Sequence, residues 1–312
     1  MNRKAKGKTR VVALGMAILT SLSVSSIPAM AHTEQNNTVA LADISEHGVR
    51  SEKYLLTVRN KNLASYSRIK VSVGGINLSV DGFVANGITY IPFRAASNTI
   101  SGSKYSYNSS SKSSTLTASG LEFTATDGCY VSYANGRALF SMSPNVIMSD
   151  GRLYIPADVF AKAIGMTVST GNGTTQITGR FNPILHASKF YREDEVLWLA
   201  RIIHAESKGE PLLGQIAVGN VVLNRVRSAY YPNTIYGVIF DRKYGVQFSP
   251  ILDGSIYNTP SYNSTLAAKI CLEGYDVSEG AFFFLNLDLA TSSWIPRTRE
   301  YAFTIGNHDF YK

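Results

Sequence analysis

Five Asp-Gly or Asn-Gly pairs interrupt the chain between residues 69 and 180, and they constrain its fold more than any other feature. They are Asp81-Gly82, Asn86-Gly87, Asp127-Gly128, Asn135-Gly136 and Asp150-Gly151. Such pairs tolerate the positive φ angles of tight hairpin turns. The runs between them are short and alternate in polarity, as in "IKVSV" and "YVSYA". Residues 69–180 are therefore predicted to form a β-rich domain.

Two stretches of this domain, "NGITYIPFRAASNTI" and "DGRLYIPADVFAKAIG", read as copies of one unit. They place Tyr90-Ile91-Pro92 and Tyr154-Ile155-Pro156 64 residues apart. Each copy predicts a turn, a short strand, a proline suited to the first turn of a helix, and a helix of small residues. The Ser/Thr/Tyr-rich segment between them is interpreted as a solvated hairpin or loop, with a glycan-contacting surface as the alternative.

The pair of copies resembles the copper amine oxidase N-terminal-like domain of secreted bacterial proteins. The region has no histidine and a single cysteine, Cys129, so no metal site is predicted in it. The other cysteine, Cys271, lies in the next domain, and a disulfide between the two is left open. From its place between the N-terminal leader and that domain, the β-rich domain is predicted to have a targeting or spacing role.

The chain begins with a predicted secretory signal peptide over residues 1–31. Five basic residues precede the apolar run Val11 to Leu22, and Ala29-Met30-Ala31 follows as a cleavage site. The run is about 12 residues long, shorter than the roughly 20 that a membrane-spanning helix needs. Removing the segment reduces the formal charge from +8 to +3, which removes most of the case for nucleic-acid binding. Residues 32–68 are interpreted as a leader and spacer, and no membrane association is expected after cleavage.

Residues 191–312 are predicted to form a second domain with helices first and a small sheet last, an α+β arrangement. One helix extends to about Lys208, a second from about Pro211 to Arg227, and a third from about Ser264 to Leu272, with an irregular Tyr-, Asn- and Pro-rich stretch before the third. The runs "AFFFLN" and "REYAFTIGNHDFYK" predict strands.

The first of these helices carries a glutamate among its apolar residues, in "LARIIHAESKGEP". Advancing about 100° per residue from Val196 places Leu199 at about 300°, Ile202 at about 240° and Glu206 at about 280°. The carboxyl group of Glu206 is therefore aimed at the core side of the helix. Burial raises the pKa of a carboxyl group, which can then hold a proton near neutral pH and deliver it to a glycosidic oxygen.

Other interpretations of this helix are available. Glu206 could instead reach solvent or pair with Arg201 or Arg225. A metal shared by His204 and Glu206 is disfavoured, because side chains two positions apart on a helix diverge by about 200°. His204 is expected to be packed or hydrogen-bonded. The sequence also lacks an H-E-x-x-H motif, a G-x-S-x-G motif and a phosphate-binding loop, so neither a metal nor a cofactor is expected.

The last 118 residues resemble the SleB/CwlJ-type cell wall hydrolases, which degrade spore cortex peptidoglycan. The resemblance rests on "LARIIHAESKGEPLLGQIAVGNVVLNRV", "VIF" followed by "QFSP", then "FFFLN", "SSW" and "IGNHDFY", in the family's order. It implies a lysozyme-like or transglycosylase-like α+β domain, with Glu206 as the catalytic acid.

The same resemblance implies substrate-binding roles for residues in the matching motifs. These residues are Asn224, Gln247, Phe248, Asn286, Trp294 and His308. Arg225 and Asn307 lie in the same motifs, and a structural role is an equal alternative for them and for Asn224. The stretch "FFFLNLDLA" lacks the tyrosine and Asn-Pro common in the family, which leaves the contacts of Asn286 less defined.

The favoured function is a secreted, lytic transglycosylase-type enzyme that cleaves peptidoglycan between N-acetylmuramic acid and N-acetylglucosamine during germination. One glutamate suffices for it, because the substrate's own C6 hydroxyl is the nucleophile. A hydrolytic muramidase or glucosaminidase of the vegetative wall would need a second carboxylate. The candidates for that second carboxylate are Asp241, Asp253, Asp288 and Glu300. A non-catalytic wall-binding protein and a peptidase or amidase are further alternatives, and an accessory germination protein is left open as a partner.

Overall fold

The computed structural model describes residues 44–45, 48–49, 67–141, 146–243, 245–290 and 293–312. The predicted signal peptide and most of the predicted spacer lie outside these residues. The described chain divides into two compact units. The β-rich unit comprises the described residues up to Val196 together with Thr265–Tyr275, and the helical unit comprises Leu197–Ser264 and Asp276–Lys312. None of the described helices is both long enough and apolar enough to cross a membrane.

The β-rich unit is built mainly from two sheets. Its strands are β1 (Ile44–Ser45), β2 (Gly48–Val49), β3 (Ser67–Val73), β4 (Ile76–Asn77), β5 (Gly82–Ala85), β6 (Ile88–Pro92), β7 (Lys104–Asn108), β8 (Ser113–Ala118), β9 (Leu121–Thr126), β10 (Val131–Ala134), β11 (Arg137–Phe140), β12 (Ile147–Ser149), β13 (Arg152–Pro156), β14 (Thr167–Gly171) and β15 (Thr174–Thr178). One sheet is antiparallel, in the order β11-β10-β9-β8-β7. The other has the order β12-β13-β6-β5-β3-β15-β14, with β4 on β3, and only the β15–β3 pair in it is parallel.

Four of the five predicted turns form as expected. Asp127-Gly128 lies in the turn between the antiparallel strands β9 and β10, and Gly128 has a φ angle of 76°. Asn86, Asn135 and Asp150 have φ angles of 51°, 50° and 48°, and each joins two antiparallel strands through the following glycine. The prediction that Asp81-Gly82 is a hairpin turn is wrong, because Gly82 begins β5. A Cβ atom on Gly82 would lie 2.5 Å from the main-chain oxygen of Tyr90, so glycine is needed here for close approach.

The two sequence copies form equivalent structures whose strands are neighbours in the larger sheet. Strands β6 and β13 pair antiparallel, with Ile91 opposite Ile155. Helix α1 (Phe93–Ser97) follows β6 and helix α2 (Ala157–Ile164) follows β13, and Pro92 and Pro156 precede them. A third short helix, α3 (Ala187–Phe190), completes the unit.

The helical unit confirms the predicted order of helices and then strands. Its elements are α4 (Glu193–Ser207), α5 (Leu212–Arg227), α6 (Ile235–Ile239), α7 (Pro250–Asp253), a 3-10 turn (Ser255–Tyr257), α8 (Tyr262–Leu272), β16 (Phe283–Leu285), α9 (Trp294–Thr298), β17 (Tyr301–Ile305) and β18 (His308–Tyr311). Helix α4 begins in the β-rich unit, and α8 ends in it. Helices α6 and α7 lie in the stretch predicted to be irregular. The three strands form an antiparallel sheet in the order β16-β18-β17.

Helix α5 is buried on all sides except at its last turn, so its polar side chains must be satisfied internally. Gln215 donates to the main-chain oxygen of Glu210 and accepts from Ser264. Asn220 accepts from the main-chain nitrogen of Val277. These bonds fix the segments around α5, the helix that also carries Arg225.

The core of the β-rich unit predicts a large cost for truncating Phe93. This ring is fully buried and meets the rings of Phe123 and Phe160 at 5.1 and 6.2 Å between centroids. Phe93→Ala is expected to lower the free energy of unfolding of this unit by about 3–5 kcal/mol, measured by urea unfolding. Ile76→Ala, on the exposed strand β4, should stay within about 0.5 kcal/mol. Equal effects of the two changes would contradict this core assignment.

Candidate active site

Glu206 lies in the last turn of α4, on the side that the fully buried Leu199 and Ile202 also face. The residue keeps part of its surface accessible, as a side chain in the wall of a cleft does. The surrounding protein nevertheless dominates its ionisation. Burial raises the pKa of the carboxyl group from 4.5 to about 7, the charge of Arg225 opposes this rise, and the charge of Asp253 adds to it. Glu206 can therefore both hold and release a proton at neutral pH.

Arg225, on α5, supplies the positive charge that acts on Glu206. Its Nε donates to the main-chain oxygen of Phe282 at 2.9 Å. Three rings pack against the guanidinium, with centroids 5.3 Å (Tyr231), 5.1 Å (Phe248) and 5.5 Å (Phe283) from its central carbon. Among the described residues its buried Nη1 has no hydrogen-bond partner. Burial holds the pKa of this arginine below its ordinary value, against the charges of Tyr231 and Glu206.

Among the described residues, Glu206 forms no direct ion pair, which was one alternative for its role. Neither Arg201 nor Arg225 lies within ion-pair distance of its carboxylate. Arg201 instead lies over the Trp198 ring, with 4.9 Å between its central carbon and the ring centroid. Arg225 thus acts on Glu206 through its field, without a contact that would hold the carboxylate ionised.

The aromatic and arginine side chains continue into a stacked row that includes two predicted substrate-binding residues. Phe248 is buried beneath Arg225, and Phe283 lies on another side of the same guanidinium. Arg299 then lies 4.7 Å from the Phe283 centroid and 4.9 Å from that of Trp294. Trp294 ends the row and is 38% exposed. The structure therefore links Phe248 and Trp294 to Arg225, and through it to Glu206.

Two other predicted substrate-binding residues are buried and have contacts inside the protein. The amide nitrogen of Asn224 donates to the Ser278 hydroxyl and to the Ala281 main-chain oxygen. His308 is buried against the Phe284 ring, and its Nδ1 lies 3.8 Å from a Glu210 carboxylate oxygen. Burial lowers the pKa of His308, against the charges of Glu210 and Asp309. These positions favour supporting roles for both.

Asn307 and Glu210 explain the G-N-H motif without a substrate. The main-chain and side-chain nitrogens of Asn307 donate to the two carboxylate oxygens of Glu210 at 2.9 and 3.0 Å. Gly306 has a φ angle of 61°, and a Cβ atom there would lie 1.9 Å from the same carboxylate. The motif therefore pins the β17–β18 turn to the start of α5.

The remaining predicted residues, Gln247 and Asn286, are partly exposed and held in local turns. The Gln247 amide donates to the Gly245 main-chain oxygen at 3.1 Å. The Asn286 side-chain oxygen accepts from the Asp288 main-chain nitrogen at 3.0 Å. The side-chain nitrogen of Asn286 makes none of the described hydrogen bonds and is available to a ligand.

The structure also brings groups to the site that the sequence pattern did not single out. Asp253, at the end of α7, is exposed yet close enough for its charge to act on Glu206. An aromatic patch of the half-buried Trp198 and the exposed Tyr236 and Tyr257 lies on the same unit, with both tyrosine rings edge-on to the indole. These three residues lie on different helical elements, so no periodic pattern in the sequence relates them.

His204 is confirmed as a hydrogen-bonded histidine, because its Nδ1 accepts from the Ser261 main-chain nitrogen at 3.1 Å. Burial lowers the pKa of its ring, and Lys208 adds to this effect. Within the described residues no group of three or more His, Cys, Asp or Glu side chains could hold a metal ion. Cys129 and Cys271 are both buried and are not joined to each other.

A partly accessible glutamate with a near-neutral pKa, on a unit that also carries exposed aromatic rings, is what enzymes that cleave glycosidic bonds by general acid catalysis use. Comparisons with known proteins agree with this class. Residues 209–311 match the Cell Wall Hydrolase family, and residues 71–178 match the Copper amine oxidase N-terminal domain. The first match begins three residues after Glu206. The C-terminal part of the chain is therefore similar to the cell wall hydrolase family over residues 209–311, and both resemblances noted in the sequence are confirmed.

Similar proteins include spore cortex-lytic enzymes. The one from Bacillus cereus is 42% identical over 122 residues, which is 39% of this chain and 46% of that protein. The one from Oceanobacillus iheyensis is 34% identical over 142 residues, 46% of this chain and 50% of that protein. This chain thus spans half or less of the length of these relatives. The solved catalytic domain of the germination-specific lytic transglycosylase SleB from Bacillus anthracis is 42% identical, with coverage of 39% of this chain and 97% of that chain and a TM-score of 0.36.

Because the pKa of Glu206 is raised, replacing this residue by glutamine is predicted to increase the free energy of unfolding by an amount that depends on pH. Between pH 4.5 and 7 the folded protein retains a proton that the unfolded chain has released, so this carboxyl group makes stability fall as the pH rises through that window. Glu206→Gln should therefore be more stable than the parent at pH 8, by at most about 3 kcal/mol, and equally stable near pH 4. Thermal unfolding at both pH values measures this. A gain of the same size at both would contradict the raised pKa.

The field of Arg225 predicts a shift in the pH profile when its charge is removed. Since Arg225 lowers the pKa of Glu206, Arg225→Met should raise that pKa and move the high-pH decline of cleavage activity to higher pH. Initial rates on purified peptidoglycan, measured between pH 5 and 9 at intervals of about one pH unit, would show the shift in the profile. Arg225→Lys is the matched control, because it keeps the charge and should keep the profile. An unchanged profile in Arg225→Met would show that Arg225 only supports the fold.

Proposed function

We propose that the protein is a secreted, peptidoglycan-degrading enzyme that acts as a lytic transglycosylase on the glycan strands of spore cortex. The observation that carries this proposal is the Glu206 carboxyl group with a pKa of about 7, held near but not against the positive charge of Arg225. The match of residues 209–311 to the cell wall hydrolase family supports the polymeric substrate. The names of the similar spore cortex-lytic enzymes support the cortex as the site of action.

The geometry supports a mechanism with one carboxyl group in two roles. Protonated Glu206 donates its proton to the oxygen of the bond between N-acetylmuramic acid and N-acetylglucosamine as that bond breaks. The resulting carboxylate accepts the proton of the C6 hydroxyl group, whose oxygen bonds to C1 and closes a 1,6-anhydro ring. A pKa near the working pH suits both transfers. Arg225 favours the ionised form after the first transfer and keeps the pKa from rising further.

Substrate contacts are proposed for the predicted residues that retain accessible polar or aromatic surface. These are Gln247, Asn286 and Trp294, with the exposed rings of Tyr236 and Tyr257 added from the structure. Aromatic faces stack on the apolar faces of sugars, and amides bond to their hydroxyl and acetamido groups. Phe248 is proposed to act by packing on Arg225, while Asn224 and His308 are proposed to position the strands and turns around it.

Product analysis tests this proposal. Glu206→Gln should reduce cleavage by about 10³-fold or more while keeping the fold, because the amide neither donates nor accepts the required proton. Mass spectrometry of digests by the parent protein should show 1,6-anhydro-muramic ends. Retained activity in Glu206→Gln would refute the assignment of the acid, and an inactive parent that sediments with peptidoglycan would indicate a wall-binding protein instead.

A second candidate, hydrolysis, is favoured by one observation: the charge of Asp253 reaches Glu206. A hydrolase would use this second carboxylate to activate water or to attack C1. Asp253→Asn separates the two mechanisms, because a transglycosylase should retain most of its rate and its anhydro products. A loss comparable to that in Glu206→Gln, together with reducing muramic acid ends in the parent digest, would establish hydrolysis.

Export to the wall or cortex is proposed from residues 1–31, and peptidoglycan is the proposed partner, with no nucleic acid and no membrane after signal cleavage. Residues 69–180 are proposed as a targeting or spacing domain and residues 191–312 as the catalytic domain. Cortex and vegetative peptidoglycan offered side by side would show which substrate is preferred, and cortex with and without muramic lactam would show whether that sugar is needed. An accessory germination protein remains an open partner.

A further inference from the structure

The two sequence copies in the β-rich unit are related by a local two-fold axis. Positions 64 residues apart are equivalent in sequence, and the antiparallel register pairs Ile91 with Ile155, Tyr90 with Pro156 and Pro92 with Tyr154. A residue that precedes the central isoleucine in one copy is thus paired with the residue that follows the central isoleucine in the other copy. An axis between Ile91 and Ile155 therefore exchanges the copies, and with them helices α1 and α2.

The axis produces two equivalent grooves in this unit. In the first groove, α1 contributes Arg94 and Ala95, Asn98 follows at its C-terminal end, and Arg152 comes from the opposite copy. In the second groove, α2 contributes Asp158, Val159 and Lys162, and Ile88 comes from the opposite copy. Each of these four pairs of positions is separated by 64 residues. The grooves therefore share these four backbone positions and differ in the rest of their lining.

A segment of the chain itself lies along the second groove. Glu273, Gly274 and Tyr275 line it, and only about 380 Å³ of cavity remains. Lys162 Nζ donates to the Glu273 main-chain oxygen at 2.9 Å and lies 3.0 Å from its carboxylate. The Tyr275 ring packs edge-on to Phe140 at 4.7 Å. This groove thus accommodates a short peptide with a carboxylate and a bulky side chain.

Residues outside the groove lining also bind the Glu273 carboxylate. Arg137 donates to both Glu273 carboxylate oxygens at 2.8 and 2.7 Å, and the Tyr191 hydroxyl donates to one of them at 2.7 Å. The Glu273 side chain is only 3% exposed. A fork of charged donors around one carboxylate is a strong recognition geometry.

The first groove is open and has a cavity of about 660 Å³. Two guanidinium groups, from Arg94 and Arg152, line it together with the rings of Tyr105 and Tyr107 and one carboxylate, from Asp150. Tyr107 is 48% exposed, and Arg94 lies 5.7 Å from the Tyr105 centroid. The groove therefore offers a net positive charge, two aromatic faces and the amide of Asn98.

We infer that the first groove binds the acidic stem peptide of peptidoglycan. Its two guanidiniums match the carboxylates of that peptide, Asn98 can bond to a peptide group, and the tyrosine rings can cover its side chains. The equivalent second groove holds a peptide segment of the same character. The choice of the stem peptide rests on the proposed function, whereas recognition of an acidic peptide rests only on the groove. Binding there would keep the protein at its polymeric substrate between cleavage events.

Titration calorimetry of the full chain with the free tetrapeptide L-Ala-γ-D-Glu-diaminopimelate-D-Ala tests this inference. This probe has no glycosidic bond, so the result does not depend on the catalytic proposal, and Glu206→Gln should bind it as the parent does. The double variant Arg94→Ala/Arg152→Ala should bind about tenfold more weakly or worse, since it loses charge-assisted hydrogen bonds. Tyr107→Ala should weaken binding without changing the net charge.

The matched control is Lys104→Ala/Arg180→Ala, which removes two positive charges from exposed positions outside the groove. Lys104 precedes Tyr105 on β7 and points to the opposite face. This control should bind the peptide as the parent does. The inference is overturned if the parent fails to bind at millimolar peptide, if the control and the groove variant lose equally, or if a peptide-free disaccharide binds as tightly. Equal binding of an all-L acidic tetrapeptide would likewise overturn the assignment to the stem peptide.

Discussion

The proton on Glu206 depends on a balance between burial and the charge of Arg225, and the architecture of the helical unit supplies both. Burial comes from α4, whose apolar face sets the glutamate beside Leu199 and Ile202. The charge comes from α5, which is buried and therefore carries Arg225 to the interior of the unit. Strand β16 completes the arrangement, because its approach places the Phe282 carbonyl and the Phe283 ring against the guanidinium.

The way in which Arg225 is held explains how a buried arginine and a protonated glutamate coexist. A direct ion pair would lower the carboxyl pKa by about 1–3 units and leave no proton to donate. Here the guanidinium donates to one main-chain oxygen and packs on aromatic faces, which attract a cation without carrying a full negative charge. The field of the arginine still reaches Glu206 and limits the effect of burial. The pKa of about 7 is thus a compromise between two large opposing effects.

Local patterns predicted the parts of this structure that local geometry controls. Helical periodicity was enough to direct Glu206 toward the core, because side-chain direction within one helix depends only on spacing. Asn-Gly and Asp-Gly pairs predicted four hairpin turns, while Gly82 showed that a glycine can be required by a neighbouring backbone instead of by a turn. The roles of Asn224, Asn307 and His308 depend on partners more than 50 residues away, which no pattern identifies. For the same reason no sequence pattern distinguished Asp253 from the other three candidate carboxylates.

Internal duplication has a physical consequence in the β-rich unit. Two copies joined about a local two-fold axis must produce each surface feature twice, so a groove beside α1 implies a groove beside α2. Residues 273–275 lie along one of them, and their contacts bury a carboxylate that Arg137 and Lys162 must compensate. The other groove has no such segment among the described residues, and its arginines remain exposed. Tyr105 packs partly against the core, but the exposed Arg94, Arg152 and Tyr107 add nothing to it. A role for these side chains is therefore to be sought in recognition, and the chemistry of the equivalent groove indicates what is recognised.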